Sequence, residues 1–74
     1  MKEVKTYNIG IERLDKDGRP LEHIDYWEEY DLQTALAIYD NIEIEKGKSA
    51  KYLIAQNWED EEVILLSTGY KDEK

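Results

Sequence analysis

Cysteine is absent from the 74 residues. Neither a disulfide framework nor a thiolate zinc site can therefore supplement the core, and a reducing, intracellular setting is expected. Phenylalanine is absent as well. The aromatic residues are 6 Tyr and 2 Trp, so every ring carries a polar handle that suits a core edge or an interface. No apolar run approaches the roughly 20 residues that cross a bilayer. The segment MKEVKTYNIG at the N-terminus has no apolar signal-peptide region, so no membrane contact and a cytoplasmic location are expected. Basic residues are scarce: 10 Lys and Arg face 18 Asp and Glu, for a net charge of -8. That balance repels DNA, RNA and anionic lipid over a Debye length, and direct nucleic-acid binding is not expected. A chain this short holds one core, so residues 1–74 are expected to form a single domain.

Within that domain, Asp17-Gly18 punctuates two strand-like runs, over 19–30 and, before them, 4–14. A two-residue type I′ turn at Asp17-Gly18 would pair Arg13 with Glu22, Ile11 with Ile24 and Ile9 with Tyr26 on a core-facing side. The wetter side would then pair Glu12 with His23, Gly10 with Asp25 and Asn8 with Trp27. Asp31 is a good helix N-cap. Leu32, Ala35, Leu36, Tyr39 and Ile42 recur at helical spacing after it, which predicts a helix over 31–45 with Gly47 beyond its end and Lys46 and Lys48 at the negative end of its dipole. Two further strands, over 50–58 and 62–70, flank the acidic turn Glu59-Asp60-Glu61. The fold class is therefore α+β, in the order β-β-α-β-β: an antiparallel sheet of two hairpins packed on one helix. The tail Lys71–Lys74 is expected to fray.

The last hairpin is apolar on both sides. Tyr52, Ile54, Val63 and Leu65 share one face, and Leu53, Ala55, Ile64 and Leu66 the other. One helix covers only one side of a sheet, so the second side needs a partner, a curled sheet or a terminus folded over it. On this reading Leu53, Ala55, Ile64 and Leu66 form a face for homodimerisation.

Motifs for chemistry are few. The single histidine, His23, has Asp25 two residues away, the best catalytic pair in the chain, yet no nucleophile context accompanies it. Asp15-Lys16-Asp17-Gly18 opens like a calcium loop but lacks the later oxygen ligands, with Tyr26 at the position of the closing Glu. Gly10 is isolated, so no phosphate-binding loop exists. No enzyme activity, metal or cofactor is expected.

Charge arrangement carries more information. Glu22, Asp25, Glu28, Glu29, Asp31, Asp40, Glu43 and Glu45 occupy the stretch from Pro20 to Glu45 without one Lys or Arg, and Glu59 to Glu62 repeat this between Tyr52 and Tyr70. Acids interleaved with Tyr26, Trp27 and Tyr30 suit a cationic groove on a partner protein, where charge speeds encounter and rings supply contact energy. The expected partner-binding residues are Asp25, Trp27, Glu28, Glu29 and Tyr30, joined by Glu59, Asp60, Glu61 and Glu62.

In these acid-only stretches, the lack of cysteine and the β-β-α-β-β brevity, the chain resembles the small acidic inhibitors that phages make against bacterial immunity, the anti-CRISPR proteins and other nucleic-acid mimics. The resemblance is one of general character over the whole chain and transfers no functional residue. It implies a non-catalytic inhibitor acting in the host cytoplasm, whose carboxylates occupy the nucleic-acid channel of a nuclease complex. The ten basic residues retained here depart from extreme mimics and imply a more shape-specific inhibitor.

Overall fold

A computed structural model describes residues 3–70. The elements follow the expected order: β1 (Val4–Leu14), β2 (Pro20–Glu29), α1 (Leu32–Asn41), β3 (Ser49–Asn57) and β4 (Glu62–Thr68). All four strands form one antiparallel sheet in the order β2-β1-β3-β4. The residues of the expected frayed tail lie outside those described.

Both hairpins close with the same device. Asp15 N–H donates to Arg19 O (2.8 Å) and Gly18 N–H to Asp15 O (3.0 Å), and the Asp15 carboxylate accepts from the amides of Asp17 (2.8 Å) and Arg19 (3.0 Å). Gly18 alone among these residues has positive φ, at 82°. The connection is thus a three-residue loop ending in a left-handed residue, not the two-residue type I′ turn expected at Asp17-Gly18. At the second hairpin Asn57 plays the part of Asp15, its Oδ1 accepting from Glu59 and Glu61 N–H at 2.9 Å each, and Asp60 takes the left-handed position at φ 65°.

The register of β1 on β2 follows from the loop and two bulges. Arg13 pairs with Glu22 and Glu12 with His23, as the sequence predicts, but irregularities flank this stretch, so that Leu14 pairs with Pro20 and Ile11 with Asp25. The extra residues on β2 are Leu21 and Ile24. Beyond Ile24 every partner moves by one: Ile9 meets Trp27, Gly10 meets Tyr26 and Asn8 meets Glu28. Because side chains alternate between faces, this slip exchanges the expected positions of Tyr26 and Trp27. Trp27 enters the core side and Tyr26 leaves it.

The helix begins at the expected cap, with Asp31 accepting from Thr34 N–H (2.9 Å) and Thr34 Oγ1 (3.0 Å). It ends at Asn41, short of the expected residue 45, because Ile42 is extended. Its last carbonyls are satisfied from β3: Lys51 Nζ donates to Tyr39 O (2.6 Å) and Ile42 O (3.1 Å) and lies 4.2 Å from the Tyr39 ring centroid. The cation at the negative end of the dipole is therefore Lys51 rather than Lys46 or Lys48. Ala35 and Tyr39 pack on Ile9 and Leu53, with Tyr7, Trp27, Leu36, Ile38 and Ile42 around them. Burial of these groups is the main favourable term of the fold. The helix packs against β1, β2 and β3, which leaves Val63, Leu65 and Leu66 of β4 41–45% exposed.

Candidate functional site

Among the described residues only one side of the sheet carries a helix, and the pairing decides what the other side presents. Side chains opposite in register share a face. Row by row from β2 to β4, the uncovered side shows Tyr26, Gly10, Tyr52 and Ser67, then Glu28, Asn8, Ile54 and Ile64. Glu12 and His23 lie beside the first row, and Gln56 and Glu62 beyond the second. None of these strand positions is a lysine or an arginine. Trp27, Ile9, Leu53 and Leu66 occupy the row behind them, on the helix side.

At one corner of this face a polar cluster spans three strands. Tyr52 Oη lies 3.0 Å from His23 Nε2, and His23 Nε2 lies 3.5 Å from Glu12 Oε2. Tyr70 donates its hydroxyl to Glu12 Oε1 at 2.5 Å. The rings of Tyr26 and Tyr52 each meet the His23 imidazole edge to face, at centroid distances of 6.5 and 6.1 Å. Tyr52 reaches β2 from β3 because Gly10 stands between them on β1: a Cβ there would overlap the Tyr52 ring. Glu12, His23, Tyr52 and Tyr70, together with Ile54, Ile64 and Ser67, line an open recess of about 510 Å³.

The field of the face is negative. Burial raises the Tyr26 phenol above its ordinary value, and the carboxylates of Glu28 and Glu62 push it further. Tyr52 is raised in the same way by burial, then by Glu12, with Tyr26 and Glu62 adding to it. Tyr70 is raised most, by burial first and then by its bond to the Glu12 carboxylate, which the neutral phenol alone can make. Asn8 is buried, with its amide donating to Gln56 Oε1 (3.1 Å), and its own Oδ1 has no protein partner.

Several of the expected site residues lie elsewhere. Glu28 and Glu62 are on the uncovered face. Asp25 is on the other side of β2, opposite Ile11, its carboxylate accepting from Tyr26 N–H at 2.8 Å. Trp27 is half-buried against the core, so it is not an exposed anchor. Glu29 is half-buried opposite Tyr7, while Tyr30 is 77% exposed just past the strand end. Glu59, Asp60 and Glu61 form the exposed β3–β4 turn. His23 and Asp25 are not a pair, because the bulge at Ile24 sends them to opposite faces; the acid beside His23 is Glu12.

The expected dimer face also divides. Leu53 and Ala55 are 0% and 2% exposed on the helix side, closed to any partner, and the bulge at Leu65 puts Ile64 and Leu66 on opposite faces, 67% and 41% exposed. Sequence reasoning did not assign Glu12, Tyr52 and Tyr70 to the site. The usable signal was Gly10, since a lone glycine inside a strand often marks a close approach.

Among the described residues, no group of three or more His, Asp or Glu side chains is placed to hold a metal ion, and no helix is long and apolar enough to cross a membrane. Fold and face together define a four-stranded α+β domain with one uncovered, acidic and tyrosine-bearing sheet face. Compared with protein-family models, curated proteins and solved structures, the chain matches none of them.

Proposed function

We propose that the protein is a non-catalytic inhibitor or regulator that lays its uncovered sheet face on a basic surface of another protein. The observation that carries this reading is the composition of that face. Glu12, Glu28 and Glu62 stand among Tyr26, Tyr52 and Tyr70 with no lysine or arginine at any of its strand positions, and no second layer among the described residues covers them. Rings and aliphatic groups there offer contact area, while the carboxylates steer a cationic partner and oppose a second copy of the same face. A nucleic-acid-handling protein such as a nuclease has the basic channel this face suits. The resemblance to phage inhibitors of bacterial immunity makes anti-defence in the host cytoplasm the favoured setting.

Salt-resolved affinity capture from host lysate tests the reading. Wild type is compared with Glu28→Lys/Glu62→Lys and with the charge-matched control Asp40→Lys/Glu43→Lys, whose exposed positions lie outside the sheet. A captured basic protein should be lost at high salt and lost with the first pair alone. Equal capture by both pairs would remove the face from the account.

A second reading, a homodimer, is favoured by the edge strand β4, where Val63, Ile64, Leu65 and Leu66 are consecutively 41–67% exposed and only Glu62 is charged. The opposite edge, β2, carries Pro20 and several acids, which discourage pairing. Self-association would run edge to edge through β4 and leave the uncovered face free. A mass that does not change with concentration would exclude it.

A further inference from the structure

We infer that the recess around Glu12 is a binding site for one guanidinium group, the arginine anchor of the basic partner. This inference rests on the proposed docking of the uncovered face and adds its chemical specificity. Glu12 is the carboxylate at the floor of the recess, its side chain only 17% exposed. Its Oε1 accepts from the Tyr70 hydroxyl (2.5 Å), but its Oε2 meets only the His23 imidazole, at 3.5 Å, long for a hydrogen bond. The recess therefore holds a mostly buried carboxylate with one lone-pair edge lacking a close donor, and no lysine or arginine stands among its described lining residues. A carboxylate edge without a close donor gains a charge-assisted hydrogen bond from an incoming cation.

The walls select which cation. Tyr52 and Tyr70 contribute rings, Ile54 and Ile64 contribute apolar surface, and the Tyr52 oxygen can accept a bond beside the carboxylate. A guanidinium is planar, weakly hydrated and rich in donors, and it stacks on ring faces while bonding to a carboxylate in its own plane. A lysine ammonium is compact and strongly hydrated and gains less from flat walls. The recess is open on the solvent side, so the group enters as the end of a side chain from a docked surface.

The test is a titration of the purified protein with N-acetyl-arginine amide, followed by amide and aromatic NMR shifts, with N-acetyl-lysine amide as the comparator. Arginine amide is expected to bind saturably in the millimolar range, about what one anchored group supplies, with shifts centred on Glu12, His23, Tyr52 and Tyr70. Lysine amide should bind at least about five-fold more weakly. Glu12→Gln should lower arginine affinity about ten-fold or more, and Glu43→Gln, at an exposed position outside the sheet, should leave it within about two-fold. Equal response to both amides, shifts spread over all the acids, or no saturation in wild type would each overturn the inference, and none of these depends on a variant folding. Loss of the anchor with retained, face-dependent capture from lysate would leave the docking reading standing, so the two failures are distinguishable.

Discussion

The ring of Tyr52 lies across the backbone of Gly10, in the space where any other residue would place its Cβ. This one contact lets a side chain of β3 pass over β1 and reach His23 on β2, and it builds the corner of the face that holds Glu12.

Gly10→Ala therefore acts on the site before the fold. The atoms in the way are the outer end of the Tyr52 ring, which can swing aside more readily than backbone. The variant should still fold, with stability lowered by about 1–3 kcal/mol from overpacking. Tyr52 and His23 ring resonances should move, and arginine-amide binding should be lost. Unchanged ring resonances would contradict the placement of Tyr52.

Lys51 holds the helix to the sheet. Lys51→Met keeps most of the apolar stem but removes the donor to Tyr39 O and Ile42 O. Leaving those carbonyls without a charged partner should destabilise the protein by about 1.5–3 kcal/mol in urea unfolding. Lys48→Met, at an exposed pair with Glu45, should change stability by less than about 0.5 kcal/mol.

The acid limb of stability should include the first hairpin. Amide bonds from Arg19, foremost, and from Asp17, with the Arg19 charge, hold the Asp15 carboxyl below its ordinary 3.8. A depressed folded value means that this contribution is complete above pH 3.8 and is lost as pH falls through the folded value. Wild type and Asp15→Asn should therefore differ in the slope of stability below about pH 4 and run parallel above it. Identical slopes throughout would show that the carboxylate does not hold the turn.

At the alkaline end the sign reverses in residue type but not in logic. Tyr26, Tyr52 and Tyr70 have phenols raised above 10.0 in the folded chain, chiefly by burial. Their unfolded counterparts ionise near 10, so stability should fall as pH rises through that value. Tyr70→Phe should soften that fall. Ultraviolet titration of the folded protein should show these phenols ionising late; early ionisation of all six tyrosines would contradict the negative field of the face.

How much of this was legible in sequence is clearest at three places. Asp31 announces the helix because its cap chemistry is local, and the β-β-α-β-β order follows from periodicity that no later event disturbs. The bulges at Leu21, Ile24 and Leu65 have no local signature; each is a matter of which residues pair across strands, a choice that a linear pattern does not carry. Each reverses the facing of the residues beyond it, so the site was misread at Trp27, Asp25 and Ile64 although the strands themselves were found. Helix length was misjudged for a similar reason, since Ile42 and Ile44 fit a helix or a strand, and Lys51, remote in sequence, caps the shorter helix.

The most direct measurement of the central claim is radical footprinting of the tyrosines with and without the captured partner. Tyr26 is 50% exposed on the uncovered face and Tyr30 is 77% exposed at the strand end, so both label readily in the free protein. Docking on the face predicts strong protection of Tyr26 with little change at Tyr30. Protection of Tyr30 with Tyr26 still reactive would place the partner at the end of the sheet and contradict the account.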